Sequence, residues 1–163
     1  MIVINKFGYL KYKNLELKCT LGKAGVEIKK REGDNITPKG TYKILNIYYR
    51  KDRIKKINSE FTLIEIKKNI GWCDDPKSKK YNQLIKLPSK YRHEKFFRND
   101  RIYDLILVLD YNMNPIIKDK GSAIFIHIAK NNYSKTRGCI ALKRDDLIEI
   151  ISKIKRDTKI RIN

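Results

Sequence analysis

The chain has 163 residues, with 38 Lys and Arg against 18 Asp and Glu, which gives a formal net charge of +20. Hydrophobic residues make up 41% of it, too large a share for a disordered basic tail. The length predicts a single domain over residues 1–163 that can bury a core without disulfides. So much positive charge favours an anionic partner, such as nucleic acid, an acidic membrane surface or another anionic polymer, or reflects a bias toward Lys, Ile and Asn.

The sequence also predicts what the protein lacks. No run approaches the roughly 20 apolar residues that span a bilayer. Residues 1–8 do not have the basic region, apolar stretch and cleavage site of a secretory signal. The protein is therefore expected to stay in the cytoplasm, to have lost a leader or to be exported by another route. The cysteines Cys19, Cys73 and Cys139 are odd in number, so at least one lacks an intrachain disulfide partner, and their spacing does not form a zinc knuckle.

The elements are predicted from hydrophobic periodicity, taken in chain order. Strands are predicted over residues 2–4, 9–19, 41–49, 61–66, 102–111, 122–129 and 158–162. Long loops are predicted over residues 31–40 and 71–92, which are rich in Gly, Pro, Asp and Asn. One amphipathic helix is predicted over residues 143–155, with acidic residues near its start. The expected fold class is therefore mostly β (α+β).

The predicted strand over residues 122–129 is the most informative. Strict alternation places Ile124, Ile126 and Ile128 on one face. The same alternation places Phe125 and His127 on the other face. Since a strand this apolar is buried, His127 is expected on a largely enclosed sheet.

A candidate nucleophile follows this strand. Cys139 lies 12 positions after His127, directly follows Gly138, and is separated from the histidine by a polar loop that can fold back. A nucleophilic cysteine needs a neighbouring base or cation, which His127 could supply. We expect the amides of Gly138 and Cys139 to face an oxyanion, and the start of the following helix to lower the pKa of the thiol.

Two alternatives remain open from spacing alone. An isolated buried cysteine is usually an inert small hydrophobe, and a lone histidine on a strand is usually a hydrogen-bonded core residue. His93, His127, Cys73 and Cys139 could instead form a metal site, although they lack the short spacing typical of zinc ligands.

Several motifs together resemble one family. Residues 121–127 and 136–142 are similar to the catalytic motif of the L,D-transpeptidase (YkuD-type) domain, which is a His, a loop and then Ser/Thr-x-Gly-Cys. Residues 33–42 resemble the Thr-Pro-x-Gly-x-aromatic turn of that family. Further blocks match one compact branch in order, at residues 71–76, 81–82, 93–94, 100–104 and 111–112. The resemblance covers nearly the whole chain.

The resemblance implies a fold and an activity. The fold would be a β-sandwich of mixed sheets with a helix after the catalytic cysteine. The activity would be acyl transfer on peptidoglycan stem peptides, with Cys139 forming a thioester and His127 acting as base. An amine acceptor would give 3-3 cross-links, whereas water would give L,D-carboxypeptidase hydrolysis. No metal or organic cofactor is implied, and a monomer at the cell envelope is expected.

The net charge supports an alternative of a different class, which is a basic nucleic-acid-binding module. No helix-turn-helix, zinc or RNP-type motif accompanies that charge. The stem peptides of the implied substrate carry free carboxylates, and bacterial envelopes present anionic polymers. A basic envelope enzyme therefore accounts for the same charge.

The chain departs from the common family pattern at two positions. Arg137 stands where many members have a second His, and Ala141 stands where many have Arg or Asn. The planar guanidinium of Arg137 suits a substrate carboxylate, with Thr136 beside it. A solvated loop charge is the alternative for Arg137.

Four further residues are candidates for substrate binding. Trp72, Asp74 and Tyr81 are predicted to form the wall of the cleft. Core packing is the alternative for Trp72, and a simple turn is the alternative for Asp74. His93 is predicted to contact substrate or to orient a catalytic group, and tying a loop through Glu94 is the alternative.

Overall fold

The computed structural model describes residues 1–55 and 57–163. Its strands are β1 Ile2–Asn5, β2 Tyr9–Tyr12, β3 Leu15–Thr20, β4 Val26–Glu27, β5 Thr37–Pro38, β6 Gly40–Tyr49 and β7 Leu63–Glu65. They continue with β8 Ile70–Cys73, β9 Leu84–Lys86, β10 His93–Lys95, β11 Leu105–Leu109, β12 Phe125–Ile128, β13 Ile140–Leu142 and β14 Lys159–Ile162. The helix α1 spans Arg144–Lys153. Within the described residues, no helix combines the length and the hydrophobicity that spanning a bilayer requires.

The largest sheet closes on itself. Its strand order is β11-β12-β13-β3-β2-β1-β14-β6-β7, and β6 also pairs with β11. This is possible because residues 40–43 of β6 pair with β14 while residues 44–49 pair with β11. The long strand therefore passes from one layer to the other, and the closed sheet forms two facing layers. The expected mostly β fold with mixed sheets and one helix is confirmed.

The space between the layers is filled by aliphatic side chains. Ile2 and Ile160 come from one layer, Leu107 and Ile126 come from the other, and each is at most 1% exposed. The apolar stripe of α1 joins the same core through Leu147, Ile150 and Ile151. Each such side chain contributes about 1.5–3 kcal/mol through burial, so this core is the main source of stability.

A second core lies on the other face of β11 and β12 and is mainly aromatic. Phe125 packs edge-on against Trp72 at 5.5 Å and against Phe96 at 5.6 Å between ring centroids. The strands β10, β8 and β9 form a small antiparallel sheet that supplies Trp72. The prediction of an unstructured loop over residues 71–92 is therefore wrong. Its strands are only three or four residues long, too short to give a clear periodic signal.

Other elements lie where the sequence predicts them, with shifted ends. The predicted strand over residues 9–19 is divided into β2 and β3 by a turn in which Lys13 has φ +53°. The predicted strands over residues 102–111 and 122–129 narrow to β11 and β12. The faces of β12 are as predicted, since Ile126 and Ile128 join the aliphatic core and Phe125 joins the aromatic one.

Candidate active site

A cavity of about 700 Å³ opens on the aromatic face of the sheet, and both His127 and Cys139 line it. Its basic lining residues are Lys23, Lys29, Arg92, Arg98, Lys130, Lys135 and Arg137. Its acidic lining residues are Glu32, Asp74, Glu94 and Asp119. Cations and carboxylates are thus mixed around one pocket, which suits a ligand that carries both signs of charge.

The sheet register explains why the nucleophile and the base meet. β12 and β13 are parallel neighbours, and His127 lies opposite Ala141. Cys139 lies two residues before Ala141 and therefore presents its side chain on the same face as His127. A strand spacing of about 4.8 Å and a two-residue offset of about 6.6 Å put their Cα atoms roughly 8 Å apart. The two side chains therefore enter the same cavity from adjacent strands.

The thiol of Cys139 is neutral at rest. It donates a hydrogen bond to the carbonyl oxygen of Ala123 at 3.1 Å. Burial raises the pKa of this thiol to about 12. The expectation that α1 lowers this pKa is wrong, because β13 lies between Cys139 and the start of the helix. The dipole of a helix acts mainly within its first turn, whereas Cys139 is at the far end of that strand.

His127 is also neutral at rest. Its Nδ1 lies 2.9 Å from the carbonyl oxygen of Ile128, which can only accept, so Nδ1 carries the proton. Burial lowers the pKa of His127 to about 4. Nε2 of His127 has no hydrogen-bond partner among the described residues. Because every side-chain nitrogen or oxygen shielded from solvent there does have a partner, Nε2 is accessible from the cavity. The ring of Tyr103 packs edge-on against the imidazole at 5.2 Å.

A tight turn presents the cysteine. The Thr136 hydroxyl donates to the carbonyl oxygen of Cys139 at 2.6 Å and accepts from the amide of Gly138 at 3.1 Å. Gly138 has φ +135°, and a Cβ there would lie 2.8 Å from the carbonyl oxygen of Ile36, so only glycine fits. The amide of Gly138, which is expected to face an oxyanion, donates to the Thr136 hydroxyl in the resting site. Among the described residues, no hydrogen bond uses the amide of Cys139.

Asn82 holds the acceptor of the thiol in place, a role that the sequence did not predict. Its side chain makes four hydrogen bonds, to the carbonyls of Tyr111 and Asn112 and from the Trp72 indole and the Ala123 amide. Asn82 is 2% exposed and has φ +56°. The only indication in the sequence was its position beside Tyr81, in the block at residues 81–82 that resembles the compact branch. The Ala123 carbonyl that accepts from Cys139 is fixed through this residue.

Two predicted cleft residues lie behind the cavity wall. Trp72 is 3% exposed and stacks on Phe96 in the aromatic core, so the alternative of core packing is correct. Tyr81 is 1% exposed, donates its hydroxyl to the Glu32 carboxylate and accepts from the Gly121 amide. Neither residue lines the cavity. The prediction that they form the cleft wall is corrected, because both side chains point into the packed interior.

The other predicted binding residues are divided between two cavities. Asp74 lines the catalytic cavity and pairs with Arg92 at 3.1 Å. Arg137 lines the same cavity, is exposed, and forms no ion pair with any described residue. His93 instead lines a neighbouring cavity of about 580 Å³, with its Nδ1 2.7 Å from the Tyr91 carbonyl oxygen.

The alternative of a metal site receives no support from the geometry. Within residues 1–55 and 57–163, no three His, Cys, Asp or Glu side chains are grouped so that they could hold a metal ion. His93 and His127 line different cavities, and Cys73 is fully buried in β8. The four side chains of the proposed metal set therefore do not converge.

Glu94 is a second residue that the sequence did not assign to the site. It lies on β10, is partly buried and lines the catalytic cavity. The hydroxyl of Tyr103 donates to its Oε2 at 3.5 Å. Burial, and then the charge of Asp74, raise the pKa of Glu94. Its only sequence signal was its place directly after His93.

A solved structure has a similar fold, whereas no curated protein matches the chain. The solved structure of Bd1075 from Bdellovibrio bacteriovorus is similar, with a TM-score of 0.52 and 17% sequence identity. The similarity covers 100% of this chain and 47% of that one, so the chain spans about half the length of that protein. At this identity the likeness shows the fold alone.

The family comparison covers more than the fold. The family model for YkuD, described as the L,D-transpeptidase catalytic domain, matches residues 2–162. That range is essentially the whole chain and includes every residue of the cavity described above. The chain therefore belongs to the YkuD family of L,D-transpeptidase catalytic domains.

Proposed function

We propose that this protein is a cysteine acyltransferase that forms 3-3 cross-links between peptidoglycan stem peptides. The observation that carries the proposal is the placement of Cys139 and His127 on one face of adjacent parallel strands, in one cavity. The open Nε2 of the neutral His127 supports a role as base toward the thiol.

The first half of the reaction forms a thioester. His127 Nε2 takes the proton from the Cys139 thiol as the sulfur attacks the carbonyl carbon that precedes the terminal D-residue. The amide of Cys139, which has no partner at rest, donates to the oxygen as negative charge develops on it. The carbon–nitrogen bond then breaks, and the proton on His127 passes to the leaving amine.

The second half resolves the thioester. An acceptor amine attacks the thioester carbon, the carbon–sulfur bond breaks, and the sulfur regains its proton through His127. Water in the place of the amine gives L,D-carboxypeptidase hydrolysis by the same steps. Arg137, exposed and without an ion pair among the described residues, is proposed to bind a carboxylate of the stem peptide.

A second surface is proposed to bind an anionic wall polymer. The outward residues of the layer formed by β3, β2, β1, β14 and β6 include Lys11, Lys18, Lys43, Lys159 and Arg161, all exposed. We call these five residues the basic sheet face. A basic face of this kind supports attachment to the cell envelope, with the protein acting there as a monomer.

The decisive experiment uses two cysteine variants and purified tetrapeptide-stem muropeptides. We expect Cys139→Ala to lose turnover by about a thousandfold or more, because it lacks the nucleophile. Cys19→Ala is the matched control, since Cys19 is buried in β3 and does not line the cavity. Mass analysis should show a thioester adduct on the wild type and the control only. Wild-type turnover by Cys139→Ala would contradict the proposal.

A further inference from the structure

Glu94 lies where two cavities meet. It lines both the catalytic cavity and the neighbouring cavity of about 580 Å³. Its Oε2 accepts from Tyr103 at 3.5 Å, whereas its Oε1 accepts from no described group. Since every shielded side-chain oxygen of the described residues has a partner, Oε1 is open to solvent in the cavity. The carboxylate therefore presents an unused acceptor next to the catalytic pair.

The charges around Glu94 leave room for a cationic ligand. The charged groups that affect it are Asp74, Arg98 and Arg137. Arg98 is already held by Asp100 through two hydrogen bonds of 2.9 and 2.6 Å. No described cation lies within ion-pair distance of Glu94. A partly buried carboxylate without a direct cationic partner is costly, so binding of a cation there is favourable.

Glu94 and Cys139 line the same cavity. Burial first, and then the charge of Glu94, raise the pKa of the Cys139 thiol. Glu94 reaches the catalytic histidine through Tyr103, whose hydroxyl donates to Glu94 and whose ring packs on His127. A group bound to Oε1 would therefore lie beside a thioester on Cys139, which is where the second substrate must arrive.

We propose that Glu94 binds the ammonium group of the acyl acceptor and thereby favours an amine over water in the second half of the reaction. This inference rests on the proposed function of the site. A neutral water molecule has no charge for Glu94 to bind, whereas a primary amine is an ammonium at neutral pH.

The proton balance of this step can be written in full. The acceptor ammonium transfers one proton to Glu94 and becomes a neutral amine that can attack the thioester carbon. The carbon–nitrogen bond forms and the carbon–sulfur bond breaks. The second proton leaves the new amide nitrogen for His127 and passes to the departing sulfur. The proton on Glu94 returns to solvent. Burial raises the pKa of Glu94, which makes its carboxylate a better proton acceptor.

The test compares three nucleophiles on the same donor. The donor is a tetrapeptide-stem muropeptide, and the nucleophiles are 1,5-diaminopentane, hydroxylamine and water. The first is cationic at neutral pH, whereas hydroxylamine is largely neutral. We expect Glu94→Gln to lower the yield with 1,5-diaminopentane by about tenfold, as a lost charge-assisted contact predicts. Hydrolysis and the reaction with hydroxylamine should stay within about twofold of the wild type.

The matched control is Glu27→Gln, the same change at an exposed carboxylate of β4 that lines neither cavity. It should leave all three reactions unchanged. An equal loss in all three reactions of Glu94→Gln, or an unchanged ratio of amine product to hydrolysis product, would overturn the role of Glu94. Wild-type kinetics provide a second measurement that needs no variant. The rate should saturate with 1,5-diaminopentane and rise linearly with hydroxylamine, and linear behaviour with both would overturn the role.

The proposed function fails in a different way. If no thioester forms on Cys139 in the wild type, the acyl-transfer reaction is wrong, and the role of Glu94 is overturned with it. If the thioester forms and only the preference for amines is insensitive to Glu94, the reaction stands and the acceptor site is wrong.

Discussion

The two faces of β12 carry different chemistry on the same short strand. On one face, Ile126 and Ile128 pack into the aliphatic core between the layers. On the other face, Phe125 joins the aromatic core and His127 enters the cavity with Cys139. The aliphatic face makes no directional contacts, whereas the other face depends on hydrogen bonds and ring geometry. One strand therefore separates the residues that stabilise the fold from those that perform the chemistry.

The strongest test of this separation removes a side chain from the aliphatic face. Ile126 is 1% exposed, and its replacement by Ala leaves a cavity in the main core. We expect Ile126→Ala to lower the free energy of unfolding by about 3 kcal/mol. Denaturant titration measures this loss. Turnover per folded molecule should stay close to that of the wild type. A large loss of turnover in fully folded protein would show that the two faces are not separable.

A smaller effect is expected from the opposite face, and it depends on pH. The pKa of His127 is about 4 in the folded protein, against 6.5 in its ordinary range, so the unfolded chain binds the proton first as pH falls. The free energy of unfolding should therefore fall by about 2 kcal/mol between pH 7.5 and pH 5 because of this group. His127→Gln removes the titration, so its unfolding free energy should change less over that range. An identical pH dependence in both proteins would contradict the burial of a neutral imidazole.

The smallest effect is expected far from both faces of β12, on the basic sheet face. The double variant Lys11→Glu with Arg161→Glu should weaken binding to anionic wall polymer several-fold at about 50 mM salt. The difference should shrink at about 200 mM salt, and turnover of soluble muropeptides should not change. The double variant Lys153→Glu with Lys155→Glu, which changes the net charge by the same amount at the exposed end of α1, is a control for the added charge. Equal weakening by the control would show that only net charge matters.

Much of this arrangement could be predicted from the sequence, because period-two alternation places residues on opposite faces of β12. The motif around Gly138 and Cys139 likewise indicated a turn that only glycine permits. The small sheet of β8, β9 and β10 could not be predicted, since its strands are too short for periodicity. The pKa of Cys139 could not be predicted either, because burial and distance from α1 depend on the folded chain.

The sequence alone also could not decide whether Trp72 lies in the interior or in the cleft wall. An indole fits a cleft wall as well as a core, and the choice is made by its partners. Here the Trp72 N–H donates to Asn82 at 3.0 Å, and Phe96 stacks on its ring. Asn82 and Phe96 are both distant from Trp72 along the chain, and turns lie between them and Trp72. Residues with long-range partners of this kind are those that periodicity cannot assign.

The hydrogen bonds of Asn82 have a consequence for how the rim of the cavity can vary. The segment from Cys73 to Asn82 is pinched at its base, where the Asn82 amide donates to the Cys73 carbonyl at 2.8 Å. Between these ends the chain carries Asp74 to the cavity rim. Substitutions of the exposed Lys77, Lys79 and Lys80 can therefore change the charge of this segment while the base still holds the Ala123 carbonyl. The charge beside the cavity can thus vary without displacing the group that accepts the hydrogen bond of the Cys139 thiol.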